Sequence, residues 1–300
     1  MPFALAAAFF FACSGVCGQR SSSLLGPVKA NFLRLAFATM VLVLLTLASG
    51  GVDMGSTAAF RLYLSGLVGF GLGDMALFFA FPRLGARLTL LINLCAAPLF
   101  GSLGDYLLLG TRLQPVHGLA CALILVGVTQ ALMARTTLPT PTRRRLPGII
   151  AAVVGGFGQG FGATLSRHAQ AAEAAAGIPL PSHVETCLRV VPGMLAIGAF
   201  WIALRYLRPP ALPSPRDHPL SLRACGWIIA NATAGAIIGV TCFQHALAHA
   251  TSAVVLSITA TTPILVMPMT FYSERDRPSL RSIFGAGIAV AGVVVLKLTA

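Results

Sequence analysis

The residues from Gly69 to Val128 recur, at a fixed offset of 165 positions, in the run from Ala234 to Val293. The offset carries Phe78 onto Phe243, Pro98 onto Pro263, Arg112 onto Arg277, Gly127 onto Gly292 and Val128 onto Val293. Thr111 falls on Asp276 and Ala120 on Gly285. Duplication of an apolar unit constrains the fold more than any single motif, because internal repeats in an apolar chain point to transporters.

A chain that is 56% hydrophobic and 10% charged, with a mean hydropathy of +0.84, has more apolar surface than a soluble core of this length can hide. A bilayer is therefore the expected partner, and its spans should be helices, since backbone groups in lipid must be satisfied internally. The apolar runs are too long for barrel strands. The net charge of +13 does not mark a nucleic-acid partner. Its Arg residues punctuate apolar runs instead of forming a patch interleaved with aromatics, and read as topology signals and headgroup contacts. The seven Cys lie in or beside apolar runs, and Cys13 and Cys17 have no nearby His, so they read as packing residues with no metal site. The first apolar run has no basic residue before it and reads as a first span, not a removable signal.

Ten spans are predicted: 2–18, 27–49, 58–81, 86–109, 115–134, 148–166, 184–206, 224–246, 251–272 and 279–297. They divide as a five-helix repeat over 1–134, a basic Pro- and Thr-rich linker over 135–147, and a second five-helix repeat over 148–300. The stretches 167–182 and 205–223 read as solvated loops. In the second span FLRLAF around Arg34 resembles CLRVVP around Arg189 in the seventh. An odd number of spans per repeat forces the second copy to enter the membrane upside down, which is the inverted-repeat architecture, with its substrate site between the halves near the midplane. One side of this layout carries Arg20, Lys29, Arg83, Arg87, Arg135, Arg143, Arg144, Arg145, Arg205, Arg208, Arg216, Arg223, Arg275, Arg277 and Arg281. The other carries Arg61, Arg112, Arg167 and Lys297. The positive-inside rule makes the first side cytoplasmic and puts both termini outside.

The run LGDMALFFAFPRLGARLTLLINLCAAP, then LLLGTRL, then a Gly-spaced helix ending in LVGV, resembles the EamA-like branch of the drug/metabolite transporter superfamily. The second half repeats the pattern with FQHALAHATSAVVLSITATTP and YSERDRPSLRSIFGAGIAVAGVVVL. The resemblance covers nearly the whole chain. It implies a multi-pass carrier of the bacterial inner (plasma) membrane that moves small metabolites, commonly exporting amino acids or related compounds. It also implies a cavity lined by the first four spans of each half, with the fifth and tenth at the side. The chain departs from the pattern at Thr111, where the family usually has a Glu, and at its counterpart Asp276 beside Glu274. Members of the family begin inside the cell, whereas the charges here place the start outside.

The candidate substrate-binding residues are Arg34, Asp74, Asn93, Gln159, Arg189, Gln244, Thr259 and Thr262. Asp74 lies well inside the third span, where a charge costs roughly 2.5–3.5 kcal/mol and needs a partner or a wet cavity. Arg34 lies at a similar depth. A paired Asp74 is structural or a gate; an unpaired one is a site for proton coupling. Glu185 lies one turn before Arg189, a spacing that permits an ion pair, read as an anchor near the interface. Asn231 and His245 are further polar positions, and each intramembrane polar group could equally hydrogen-bond a neighbouring helix. Arg34 and Arg189 favour a substrate with a carboxylate. Pro98 and Pro263, matched in the two halves, should kink their helices and shape the pathway. The pairs Phe9–Phe10 and Phe78–Phe79 face lipid or core, or shape a pocket. Gly285, Ala289 and Gly292 give the tenth span a close-packing face, within the monomer or in a homodimer.

No Walker-type loop is present and no cofactor is called for, so transport should be secondary or facilitative. An intramembrane enzyme would need clustered catalytic groups; His245 and His249 share a helical face but have no acidic partner nearby. The remaining alternative is a membrane scaffold or sensor that transports nothing.

Overall fold

The computed structural model describes residues 1–51, 55–112, 114–133, 145–206, 220–262, 264–265 and 280–299, and among them there is no strand. The helices are α1 (Pro2–Leu25), α2 (Pro27–Ala48), α3 (Thr57–Gly66), the π-helical stretch π1 (Leu67–Gly73), α4 (Asp74–Leu109), α5 (Pro115–Met133), α6 (Arg145–Ala175), α7 (Ser182–Tyr206), α8 (Leu222–Asn231), π2 (Ala232–Gly239), α9 (Val240–Leu247), α10 (Ser252–Thr259) and α11 (Leu280–Thr299). Among the described residues six helical segments are long and apolar enough to cross a bilayer, namely Pro2–Ser22, Val28–Ala48, Ile92–Leu109, Leu146–Ala175, Ser182–Tyr206 and Leu222–Leu247. Pro115–Gln130 and Ile283–Val295 are shorter apolar helices. The chain is a multi-pass membrane protein.

Local chemistry explains several boundaries. Ser56 caps α3 and Ser221 caps α8, accepting from the backbone N–H of Ala59 and Ala224 at 3.1 and 3.2 Å, a device that contributes about 1 kcal/mol. Gly110 ends α4 in the left-handed conformation, φ 63°, which glycine adopts without strain. The offset of 165 positions extends to these elements: it carries the Ser56 cap onto Ser221, α3 onto α8, the start of π1 onto that of π2, and Pro115 of α5 onto Leu280 of α11.

The structure departs from the sequence reading at one point of the fold and adds to it at another. Residues 167–175 are not loop, because α6 continues to Ala175. Between the expected third and fourth spans, helical hydrogen bonding runs on without a break, yet α4 is not straight. A straight helix would separate Leu77 from Asn93 by about 24 Å. A Cβ on Gly155 of α6, however, would lie 3.1 Å from Leu77 and 3.0 Å from Asn93. Positions 65, 69 and 73 meet α6 in descending order at 162, 162 and 158, whereas 97, 101 and 105 meet it in ascending order at 160, 164 and 167. The chain therefore folds back on itself within α4.

The helices sort into two groups. In one, α1 packs on α8, π2 and α9, and α2 on α8 and π2; in the other, α6 and α7 pack on α3 and π1, with α6 also along α4. The groups meet where α2 lies against α7, and α5 lies against α11 at the side. Without a hydrophobic drive between helices in lipid, close backbone approach does much of the holding. Gly66 touches the Arg189 carbonyl, Gly158 lies against Gly73, Gly160 against the Ala97 carbonyl, Gly127 against Ala289, and Gly292 against the Ala120 carbonyl. The small-residue face expected in the tenth span is thus used within the monomer, against α5.

A methyl on Gly66 would collide with the Arg189 carbonyl oxygen, whereas one on Gly15 meets nothing within 4 Å. Gly66→Ala is expected to destabilise the protein by about 1–3 kcal/mol, through overpacking. Gly15→Ala should leave stability unchanged or raise it, and thermal unfolding of the two variants in detergent separates these outcomes.

Candidate functional site

Among the described residues two polar centres bridge the two groups of helices, and a third ties α6 and α4 to α10. The first lies beside the end of π1. There Arg34 of α2 donates from Nη2 to Asp74 Oδ2 at 3.4 Å, and Gln159 Nε2 of α6 donates to Asp74 Oδ1, also at 3.4 Å. The expected pairing of Arg34 with Asp74 is present, and Asp74 has a neutral amide as a second partner. A π-helical turn shifts every later side chain around the helix axis, which is how π1 determines where Asp74 points.

The second centre is built on Arg189 of α7, which is 4% exposed. Its Nη1 donates to Gln244 Oε1 of α9, and its guanidinium lies 5.6 Å from the Phe70 ring of π1 and 5.9 Å from the Phe243 ring of α9. Cation–π contact of this kind offsets part of the cost of burying the charge. Gln244 Nε2 donates onward to Glu185 Oε2 at 3.4 Å, and Gln170 Nε2 of α6 donates to Glu185 Oε2 at 2.9 Å and to the Gln244 carbonyl at 3.0 Å. Glu185 and Arg189, expected as an anchoring ion pair, instead bond to the same Gln244 amide. Both are buried inside the protein, and the Gln244 amide stands between them. Thr241 donates to Thr186 at 3.3 Å beside this network.

The third centre joins Arg167 Nη1 of α6 to Asp105 Oδ2 of α4 at 2.6 Å. Asp105 also accepts from the Ser252 backbone N–H and hydroxyl, both at 2.8 Å, so one buried carboxylate neutralises a cation and caps the start of α10.

The remaining expected residues do not all converge. Asn93 is buried on α4 facing α6, and its Nδ2 has no partner. The hydroxyls of Thr259 and Thr262 donate to carbonyls of their own helical turns, Leu256 and Thr259 respectively, and Thr262 also donates to Ala8 of α1. Pro98 is buried within the helical run of α4. Asn231 accepts from the Ser14 hydroxyl of α1 at 2.6 Å. His245 lies against Phe3, and the His249 ring contacts the His245 carbonyl; among the described residues no group of three metal-ligating side chains forms. Pro263, Glu274, Asp276 and residues 134–144 of the expected linker lie outside the described residues, as does the side chain of Phe78.

The sequence reading misses Asp105, Gln170 and Glu173. A signal is present for the last two: Ser166, Gln170 and Glu173 recur at intervals of three and four, one face of a helix whose apolar pattern stops at 166.

An all-helical, multi-pass membrane protein with charged side chains buried between two helix groups has the build of a transporter. The chain belongs to the EamA-like transporter family, whose family model matches residues 1–133 and again 146–298, and through it to the drug/metabolite transporter superfamily. A crystal structure described only as that of a protein has a similar fold, with a TM-score of 0.76 and 18% sequence identity over 99% of this chain and 96% of the other. No curated protein matches the chain.

Asp105→Ala would leave Arg167 unpaired and the start of α10 uncapped, with an expected loss of about 3 kcal/mol. Thr261→Ala removes a hydroxyl that donates to the Ile258 carbonyl of its own turn and should cost about 1 kcal/mol or less. Chemical denaturation of the two variants tests the difference.

Proposed function

We propose that the protein is a secondary or facilitative carrier of small metabolites bearing a carboxylate, amino acids or related compounds, and that it works in export. The observation that carries this reading is Arg189, a cation buried where the two groups of helices meet and bound mainly by a neutral amide and two aromatic faces. A substrate carboxylate can replace the Gln244 amide oxygen on the guanidinium and form two parallel hydrogen bonds. Gln244, Gln159 and Asn93 would contribute amides around it. Thr259 and Thr262, bonded to their own helices, would line the pathway without binding.

The path would open by alternating access between two inverted five-helix repeats, ten spans in all, over 1–134 and 148–300. In support, the caps, helices and π stretches recur at one offset, and each group takes its first two helices from one repeat and its π-containing segment from the other. Pro98 and Pro263 would shape the pathway. Ties between the groups lie at the end away from the basic loops, where Arg189 and Gln170 meet Gln244. Arg34 and Asp74 would form the opposing tie nearer the basic end. With the basic end cytoplasmic, in a bacterial inner membrane, the outer side of the pathway is the closed one.

The test is uptake and efflux of a panel of amino acids and other carboxylates by purified protein in liposomes. Arg189→Gln is expected to reduce carboxylate flux by roughly thirtyfold, equivalent to the loss of about 2 kcal/mol for truncating one side of a buried charged contact. Unchanged flux in a folded Arg189→Gln protein would refute the assignment of Arg189. Absence of flux for every compound with the wild-type protein would refute the carrier reading.

A further inference from the structure

At the end of the molecule away from the basic loops, α9 and the turn after it carry two histidines that the transport site does not use. The Ala248 and His249 N–H groups donate to the Gln244 and Ala246 carbonyls at 3.2 and 3.1 Å, so the helical turn runs on past Leu247. His245 and His249 therefore stand one turn apart on one face. His249 is exposed and His245 half-buried, which leaves the pair open to water.

The two imidazoles stand at the spacing of a pair that shares one metal ion. With a metal–nitrogen bond of about 2.05 Å and a ring centre about 1.15 Å behind the nitrogen, two such rings have centres about 4.5–5.2 Å apart, from right-angled to tetrahedral coordination. The ring centroids of His245 and His249 are 4.7 Å apart. The outer hydrogen bonds of such a site are also in place. His249 Nδ1 lies 2.9 Å from the His245 carbonyl oxygen, which can only accept, so the ring proton is on Nδ1 and the lone pair on Nε2. His245 Nδ1 faces the Ser182 hydroxyl of α7 at 3.5 Å, which leaves its Nε2 for a ligand as well. Histidines that bind metals ordinarily donate their other ring N–H to an oxygen in this way.

We propose that His245 and His249 form a two-histidine site for a divalent transition-metal ion at their Nε2 atoms, and that a bound ion holds α9 against α7. Imidazole pairs favour zinc, nickel and copper over magnesium and calcium, which take oxygen ligands. His183, the residue after Ser182, is turned to the Ser49 hydroxyl at 2.9 Å, and among the described residues no third metal-ligating side chain joins the pair. Water fills the remaining positions, so the site suits an exchangeable ion, not a permanent structural one.

A metal on Nε2 fixes the His245 proton on Nδ1 and directs it at Ser182. Gln244, one residue earlier, already takes Arg189 of α7 and Gln170 of α6, so the ion strengthens a tie that is present without it. An ion that binds this closed arrangement better than an open one shifts the protein toward it. The closing effect rests on the transport reading above, whereas the site itself does not.

The experiment uses full-length protein purified without a polyhistidine tag and titrated with nickel ions. The wild type should bind one ion per chain saturably, and His245→Gln or His249→Gln should each weaken binding about tenfold or more. His183→Gln should leave it unchanged. The exposed position of His249 lets His249→Gln fold normally, which an unchanged thermal midpoint without metal verifies. No saturable binding by the wild type, or binding that persists in the double His245→Gln/His249→Gln variant, would overturn the site. In liposomes, nickel added at the outer face should slow wild-type amino-acid flux severalfold, and Ser182→Ala should keep the binding and lose the slowing. Flux that is unaffected by bound nickel, or slowed equally in Ser182→Ala, would overturn the clamp on α7. If no compound is transported at all, the carrier reading fails and the closing effect with it, while the titration still decides the site.

Discussion

The backbone contact of α6 with the α3, π1 and α4 segments is what the rest of the molecule depends on. Gly155, Gly156, Gly158, Gly160 and Gly162 line one side of α6 so closely that a single methyl at most of them would collide with the facing segment. In lipid, apolar side chains gain little by meeting one another, so contacts of this kind decide which helices are neighbours. Through this seam Gln159 reaches Asp74, Ser65 reaches Ser166, and Arg167 reaches Asp105. The fold-back inside α4 has the same origin, since both of its limbs lie on the same helix.

Placing charges in such an interior needs compensation, and the three centres illustrate three solutions. Asp105 is satisfied completely by Arg167 and Ser252, and serves as a staple. Asp74 is held by one cation and one amide at longer distances, a weaker arrangement suited to a contact that breaks. Arg189 has aromatic faces and an amide, but its Nε is without a partner. The incompletely satisfied centres lie where the two helix groups meet.

The two π stretches tie the architecture to these centres. Each comes after a serine-capped helix at the same distance, and each leads into the residues that meet the opposite group: Asp74 after π1, Phe243 and Gln244 after π2. Five-residue hydrogen bonding widens the helix and rotates the residues beyond it, so a matched pair of such stretches aims side chains from both segments toward the shared interface.

The duplication, the apolar segments and the Arg34–Asp74 pair are legible in the chain alone. Each is written in local pattern: a fixed offset, apolar runs of spanning length, and two opposite charges at similar depth. Helical membership of Gln170 and Glu173 is also written there, in a spacing of three and four, but their polarity makes the segment resemble a loop. What the tertiary structure alone decides is which polar residues share a centre. Glu185 and Arg189 look like a simple ion pair one turn apart, yet Gln244, more than fifty residues away in sequence, takes the position between them. The exchange of helices between the two groups belongs to the same class. It depends on how closely distant backbones can approach, a property of the packed molecule that no local pattern carries.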